Sequence, residues 1–161
     1  MKSDFLQELE QRLVLVYVGK PHSSSDVHAM VIRECEEIGP NNSKLERMRQ
    51  LATAAAKAFT ECDIMELGRL MCENTAAQQA LHPALVGEHA HAVIELAKQH
   101  NAIGWKVNGA GGDGGSVTVL FGQNYNDRTE FLEALLRIPE HGRLLPIKLC
   151  HHGLQVTVYN S

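Results

Sequence analysis

The amino-acid sequence predicts an α+β fold in which an antiparallel sheet is covered by helices. Two observations carry that reading. A β-rich run at Leu13–Val18 is followed by a succession of helical periodicities, with no second strand until residue 104. The period then falls to two, and the later strands are joined mainly by hairpin-type connections. Size and composition suit a single domain over residues 1–161, because 44% apolar residues can fill one core and are too many for a disordered segment.

The elements follow in order. Leu13–Val18 reads as a buried strand ended by Gly19 and Pro21, and it stands first in the predicted topology. The cluster Ser23-Ser24-Ser25-Asp26 offers caps for a helix running to about Ile38, where Gly39-Pro40 stops it. A second helix starts at Asn42 or Ser43 and carries a stripe of Leu45, Met48, Ala52, Ala55 and Phe59. Asp63 and Glu66 form a capping-box pattern for a third, with the stripe Ile64, Leu67, Met71, Asn74, Gln78 and Leu81. Two amides therefore occupy positions where the pattern expects apolar groups. They suit a helix–helix hydrogen bond, a stripe edge reaching solvent, or a pocket.

His82-Pro83 breaks that helix, and a fourth runs from about Val86 to His100. Gly104–Asn108 and Ser116–Phe121 are strands flanking a glycine-rich loop, and Asn126 or Asp127 caps a helix to Ile138. Strands near Leu144–Cys150 and Leu154–Tyr159, joined by a hairpin at 151–153, close the chain.

Charge excludes some functions. Fifteen basic against 19 acidic residues give a net charge of −4, which argues against a nucleic-acid or anionic-membrane footprint. No apolar run is long enough for a membrane span and the N-terminus lacks the apolar stretch of a signal peptide, so a cytoplasmic protein is expected. The four cysteines make no CxxC pair and read as reduced structural thiols. His89, His91, His151 and His152 supply no ligand set by themselves, and no metal site is expected.

Five of the seven residues from Gly109 to Gly115 are glycine. The segment Gly109-Ala110-Gly111-Gly112-Asp113-Gly114 fits G-x-G-x-x-G, but a dinucleotide fingerprint opens a helix and here a strand follows. It also lacks the GK[ST] ending of a P-loop. A flexible hairpin remains open, although a tight hairpin needs one or two glycines. A run of glycines that tolerates positive φ suits a backbone nest for an anion, typically phosphate.

The stretch Lys106-Val107-Asn108-Gly109-Ala110-Gly111-Gly112-Asp113-Gly114-Gly115-Ser116 resembles the third conserved motif of the GHMP kinases, which include galactokinase, homoserine kinase, mevalonate kinase and phosphomevalonate kinase. Leu13–Gly19 with the serines after it is similar to the strand and turn that open the C-terminal half of heptose- and fucose-kinase-like members. Leu67–Asn74, then Leu81-His82-Pro83, looks like the helix before their glycine motif.

The resemblance implies a ferredoxin-like C-terminal domain of a sugar kinase using ATP and Mg²⁺. Residues Gly109 to Ser116 would contact the nucleotide phosphates or the phosphoryl acceptor across an interdomain cleft, and Lys106, Asn74, His22 and Ser24 would lie toward the substrate. Asp113 lengthens the loop by one residue relative to the family's GAGGGG run, and beside phosphate its carboxylate is expected to turn away. The family's P-x-x-x-G-L-G-S-S loop, which belongs to the N-terminal half, is not in this sequence. No catalytic residue is assigned here, and the chain is expected to be inactive without its missing N-terminal partner domain. The alternative is a stand-alone half-kinase that holds a phosphorylated ligand or joins a separate N-terminal chain.

Overall fold

The computed structural model describes residues 3–19, 29–33, 36, 42–109, 111–112, 114–138, 142–150 and 156–157. Helix α1 (Ser3–Arg12) runs directly into strand β1 (Leu13–Tyr17). Helices α2 (Ser43–Thr60) and α3 (Ile64–Leu81), a 3₁₀ turn (Pro83–Leu85) and α4 (Glu88–Gln99) lead to β2 (Gly104–Asn108) and β3 (Ser116–Leu120). Helix α5 (Tyr125–Arg137) and β4 (Arg143–Leu145) follow. The four strands are all antiparallel to their neighbours in the order β2-β3-β1-β4, the ferredoxin-like arrangement.

Register explains the two faces of the sheet. Successive side chains alternate, so Val14, Val16, Val107, Val117 and Val119 share one face and are buried under Val93 and Ala97 of α4 and Phe131 of α5. Fully burying a side chain of this size contributes about 1.5–3 kcal/mol. Phe121 meets Phe131 with ring centroids 5.3 Å apart, closing this core at the end of β3. A second core lies at the start of β1, where Phe5, Leu6 and Leu9 pack with Leu13, Ile64 and Leu120.

Helix α1 corrects the expectation that the strand comes first. Its signal is present: Phe5, Leu9 and Leu13 recur at steps of four and form the buried stripe. The face of α2 is also corrected. Leu45 is 44% exposed, whereas Leu51 and Ala58 are buried against Leu70 and its neighbours on α3. Met48 and Phe59 contact other groups, Leu81 with Leu85 and Phe5 respectively. The expected stripe followed those larger side chains, but small alanines let α2 and α3 approach along an adjacent line.

The caps agree in part. The Asn42 carboxamide oxygen accepts from the Lys44 and Leu45 amides at 3.0 and 3.3 Å, making Asn42 the cap of α2. Asn42→Ala is expected to cost about 1 kcal/mol and to lower Tm by roughly 2–4 °C, read by calorimetry. Asp63 accepts from the Glu66 amide at 2.9 Å, but the Glu66 carboxylate pairs with Arg69, so the box is one-sided. Asn124 caps α5 through the Asn126 amide, two residues before the earlier of the two expected caps.

Strand β4 is shorter than the predicted 144–150. Pro146 has no N–H for the ladder, and the Leu149 amide donates to the Glu10 carboxylate at 2.6 Å, drawing the chain onto α1. Val156 and Thr157 are not in a strand, while the 151–153 hairpin and the rest of that predicted strand lie outside the described residues. Residues 29–33 and 36 are helical, within the predicted first helix.

Candidate functional site

Helix α3 lies along the outer edge of β2, and the contact begins as backbone on backbone. A Cβ at Gly68 would sit 2.6 Å from the Ile103 carbonyl oxygen, and one at Gly104 would sit 2.5 Å from the Gly68 Cα. From this crossing the helix diverges from the strand, and its side chains lengthen to bridge the gap. Cys72 Sγ is 4.0 Å from the Ile103 carbonyl oxygen. The Thr75 hydroxyl donates to the Trp105 carbonyl at 3.1 Å and accepts from the Val107 amide at 3.2 Å. Gln78 Nε2 donates to the Gly109 carbonyl at 3.0 Å. Residues 103, 105, 107 and 109 alternate along this edge, so one helix satisfies polar groups that none of the described strands reaches.

The last of these contacts holds the start of the glycine loop. Gly109, Gly111, Gly112 and Gly115 have φ of 66°, 62°, 74° and 88°, a conformation that disfavours any residue with a Cβ. Gly111 is pressed against the 3₁₀ turn, where a Cβ would lie 1.8 Å from the Leu85 carbonyl oxygen. At the far end the Gly115 carbonyl accepts from the Val18 amide at 3.0 Å, tying the loop to the end of β1. Below it, Asn108 Nδ2 donates to the Ser116 and Thr118 hydroxyls at 3.0 and 2.9 Å, closing the strand ends across the ladder. The loop is anchored at its start, middle and end, unlike a free hairpin.

The predicted site residues separate into three groups. Gly109, Gly111, Gly112, Gly114, Gly115 and Ser116 lie together at the ends of β1, β2 and β3. Lys106 joins them from below: its ammonium donates to Gln78 Oε1 at 2.9 Å and to the Val107 carbonyl. Burial pushes the Lys106 pKa down from its ordinary value. Asn74 is on α3 one turn before Gln78, half-buried, with its carboxamide oxygen buried and unpartnered among the described residues. Ala110, Asp113, His22 and Ser24 lie outside the described residues.

Thr75 and the loop-facing role of Gln78 were not legible as site features. A threonine inside a helix carries no phase anomaly, and its partners lie about thirty residues away on β2. The Gln78 amide does not bond to another helix among the described residues; it spans from helix to strand and loop.

A cleft of about 360 Å³ opens between α3, α4 and Trp105, lined in part by Cys72, Gln79, His91 and Lys98. The Lys98 ammonium lies 5.3 Å from the Trp105 ring centroid, and burial pushes the Cys72 thiol pKa up. Among the described residues, no cluster of three His, Cys, Asp or Glu side chains is placed to hold a metal ion. None of the described helices is long and apolar enough to cross a membrane.

A helix-covered antiparallel sheet in the order β2-β3-β1-β4 matches the fold of the C-terminal domain of GHMP-family kinases. The individual relatives make the same point. At 29% identity over 137 residues the chain is similar to the bifunctional fucokinase/GDP-fucose pyrophosphorylase of Arabidopsis thaliana, a match spanning 84% of this chain and 12% of that protein. Among solved structures it superposes on L. major mevalonate kinase in complex with R-mevalonate with a TM-score of 0.67 and 22% identity, over 85% of this chain and 42% of that one. Streptococcus pneumoniae phosphomevalonate kinase gives a TM-score of 0.68 and 12% identity, over 83% of this chain and 38% of that one. The chain thus spans a small fraction of the curated relative and about two fifths of these two structures. No protein-family model matches it.

Proposed function

We propose that this chain is the C-terminal domain of an ATP-dependent kinase that phosphorylates a sugar hydroxyl, and that it supplies one wall of the cleft and the phosphate-facing loop. The observation that carries the reading is the set of left-handed glycines Gly109, Gly111, Gly112 and Gly115, with Gly111 pressed on the 3₁₀ turn. These glycines carry no side chain, two of them are held from neighbouring elements, and such backbone is of the kind that receives phosphate oxygens through peptide N–H groups. The similarity to a fucokinase supports a sugar as acceptor.

The residues fit the phosphates of ATP better than they fit its metal. Gly109 has nothing within 4 Å of where a Cβ would be, leaving room for a group to approach the backbone, whereas the described residues provide no carboxylate cluster for Mg²⁺. When bound, ATP would supply the transferable phosphoryl group. This chain's share is to hold the loop in place beside the phosphates. Phosphoryl transfer depends mainly on positioning and charge stabilisation from both sides, so one wall alone gives no useful rate.

The test pairs two measurements. The 161-residue chain, incubated with ATP, Mg²⁺ and a panel of sugars including fucose, is expected to transfer no phosphate. The native protein, detected in a cytoplasmic fraction with an antibody to this chain, is expected to be longer and to phosphorylate a member of the panel. Robust transfer by the chain alone would overturn the assignment of a partner domain. A native protein no longer than this chain would favour the stand-alone half-kinase.

A further inference from the structure

We propose that Gln78 is a positioning residue that sets where the glycine loop begins, with Lys106 as the group that locks its amide the right way round. This rests on the reading of Gly109–Gly115 as a phosphate loop. Gln78 is 3% exposed and uses both ends of its carboxamide: Nε2 donates to the Gly109 carbonyl at 3.0 Å, and Oε1 accepts from Lys106 Nζ at 2.9 Å. An ammonium only donates and a carbonyl only accepts. The amide therefore has a single orientation that satisfies both neighbours, and a flipped amide would face donor with donor and oxygen with oxygen.

The consequence is mechanical. Gly109 is the pivot between β2 and the loop, has a left-handed φ, and meets nothing near its Cβ position, so the carbonyl tie to Gln78 is what restrains it from the helix side. Thr75 fixes β2 up to Val107, and Gln78 carries the same helix contact one step farther, past the end of the strand. The Gly109 carbonyl is thereby held by a side chain whose own direction is set by Lys106. The cation is held beneath the loop in the same act.

Gln78→Glu separates this role from packing. Glutamate matches glutamine in size and keeps a partner for Lys106, but it turns an acceptor toward the Gly109 carbonyl in place of a donor. Gln78→Met keeps the bulk and removes both bonds. In the 161-residue chain, both substitutions are expected to speed amide hydrogen exchange through Gly109–Gly115 while leaving the central strands protected. Both are expected to weaken binding of inorganic phosphate, followed by amide chemical shifts, by about tenfold, equivalent to about 1.4 kcal/mol.

Wild-type exchange in the loop of Gln78→Glu would overturn the proposal. Faster loop exchange with unchanged phosphate affinity would support the positioning role and overturn the phosphate reading of the loop. Should Gln78→Glu fail to fold, Lys106→Met tests the lock from its other end: faster exchange at Gly109 is expected, and no change there would overturn the proposal.

Discussion

Gly111→Ala is expected to destabilise the protein by about 3 kcal/mol and to disable the loop. Two costs add. The left-handed backbone at φ 62° disfavours any L side chain, by about 1–2 kcal/mol. The new methyl would also lie 1.8 Å from the Leu85 carbonyl oxygen and 2.7 Å from its carbon, so the backbone of the loop or of the 3₁₀ turn has to shift. Overpacking of this kind costs about 1–3 kcal/mol. Gly109→Ala is the control, since it meets the same backbone restriction in open space and is expected to cost about 1 kcal/mol. Denaturant unfolding of the two variants checks the difference. Equal costs would mean that the close approach of Gly111 to Leu85 does not hold the loop.

Thr75→Val is expected to cost about 3 kcal/mol although it alters the side-chain volume very little. The hydroxyl serves two backbone groups on β2, the Trp105 carbonyl and the Val107 amide. Thr75 and Val107 are buried and Trp105 partly so, and valine leaves a buried donor and a partly buried acceptor without partners, each worth about 1–3 kcal/mol. Thr75→Ser keeps the hydroxyl and is expected to lose only about 1 kcal/mol for the missing methyl group. Urea unfolding of the pair decides the matter. A valine variant as stable as wild type would show that water reaches this edge.

Much of the fold was legible because the informative signals are local. The short β-rich run of β1, the Asp63 cap and the change of period at Gly104 each act within a few residues, and the structure places β1, α3 and β2 where those signals lie. The glycine run was likewise visible as backbone that must adopt positive φ. What escaped depends on partners far along the chain. The buried face of α2 is chosen by α3, where several alanines make adjacent stripes nearly equivalent. Strand β4 is cut short by Pro146 and by a carboxylate on α1, 139 residues away in sequence.

Gln78 lies between these cases. Helical phase identified it as a polar group where an apolar one belonged, but phase cannot say what the group touches. Its two partners sit on β2 and at the loop, 28 and 31 residues on in sequence, and only the folded chain brings them within hydrogen-bond distance. Helix α1 is a different kind of omission, since its four-residue spacing was readable and its amphipathic stripe is short.

The row of α3 contacts along β2 also bears on how this protein behaves in a crowded solution. A sheet's outermost strand normally presents a template onto which another chain can add, the usual route to swapped dimers and fibrils. Here Thr75 and Gln78 already occupy groups that an incoming strand would need, and the Gly68–Gly104 crossing leaves no space for one. On the opposite side β4 offers three residues before a proline. Substitutions that loosen α3 are therefore expected to show up first as self-association, ahead of any loss of helical content.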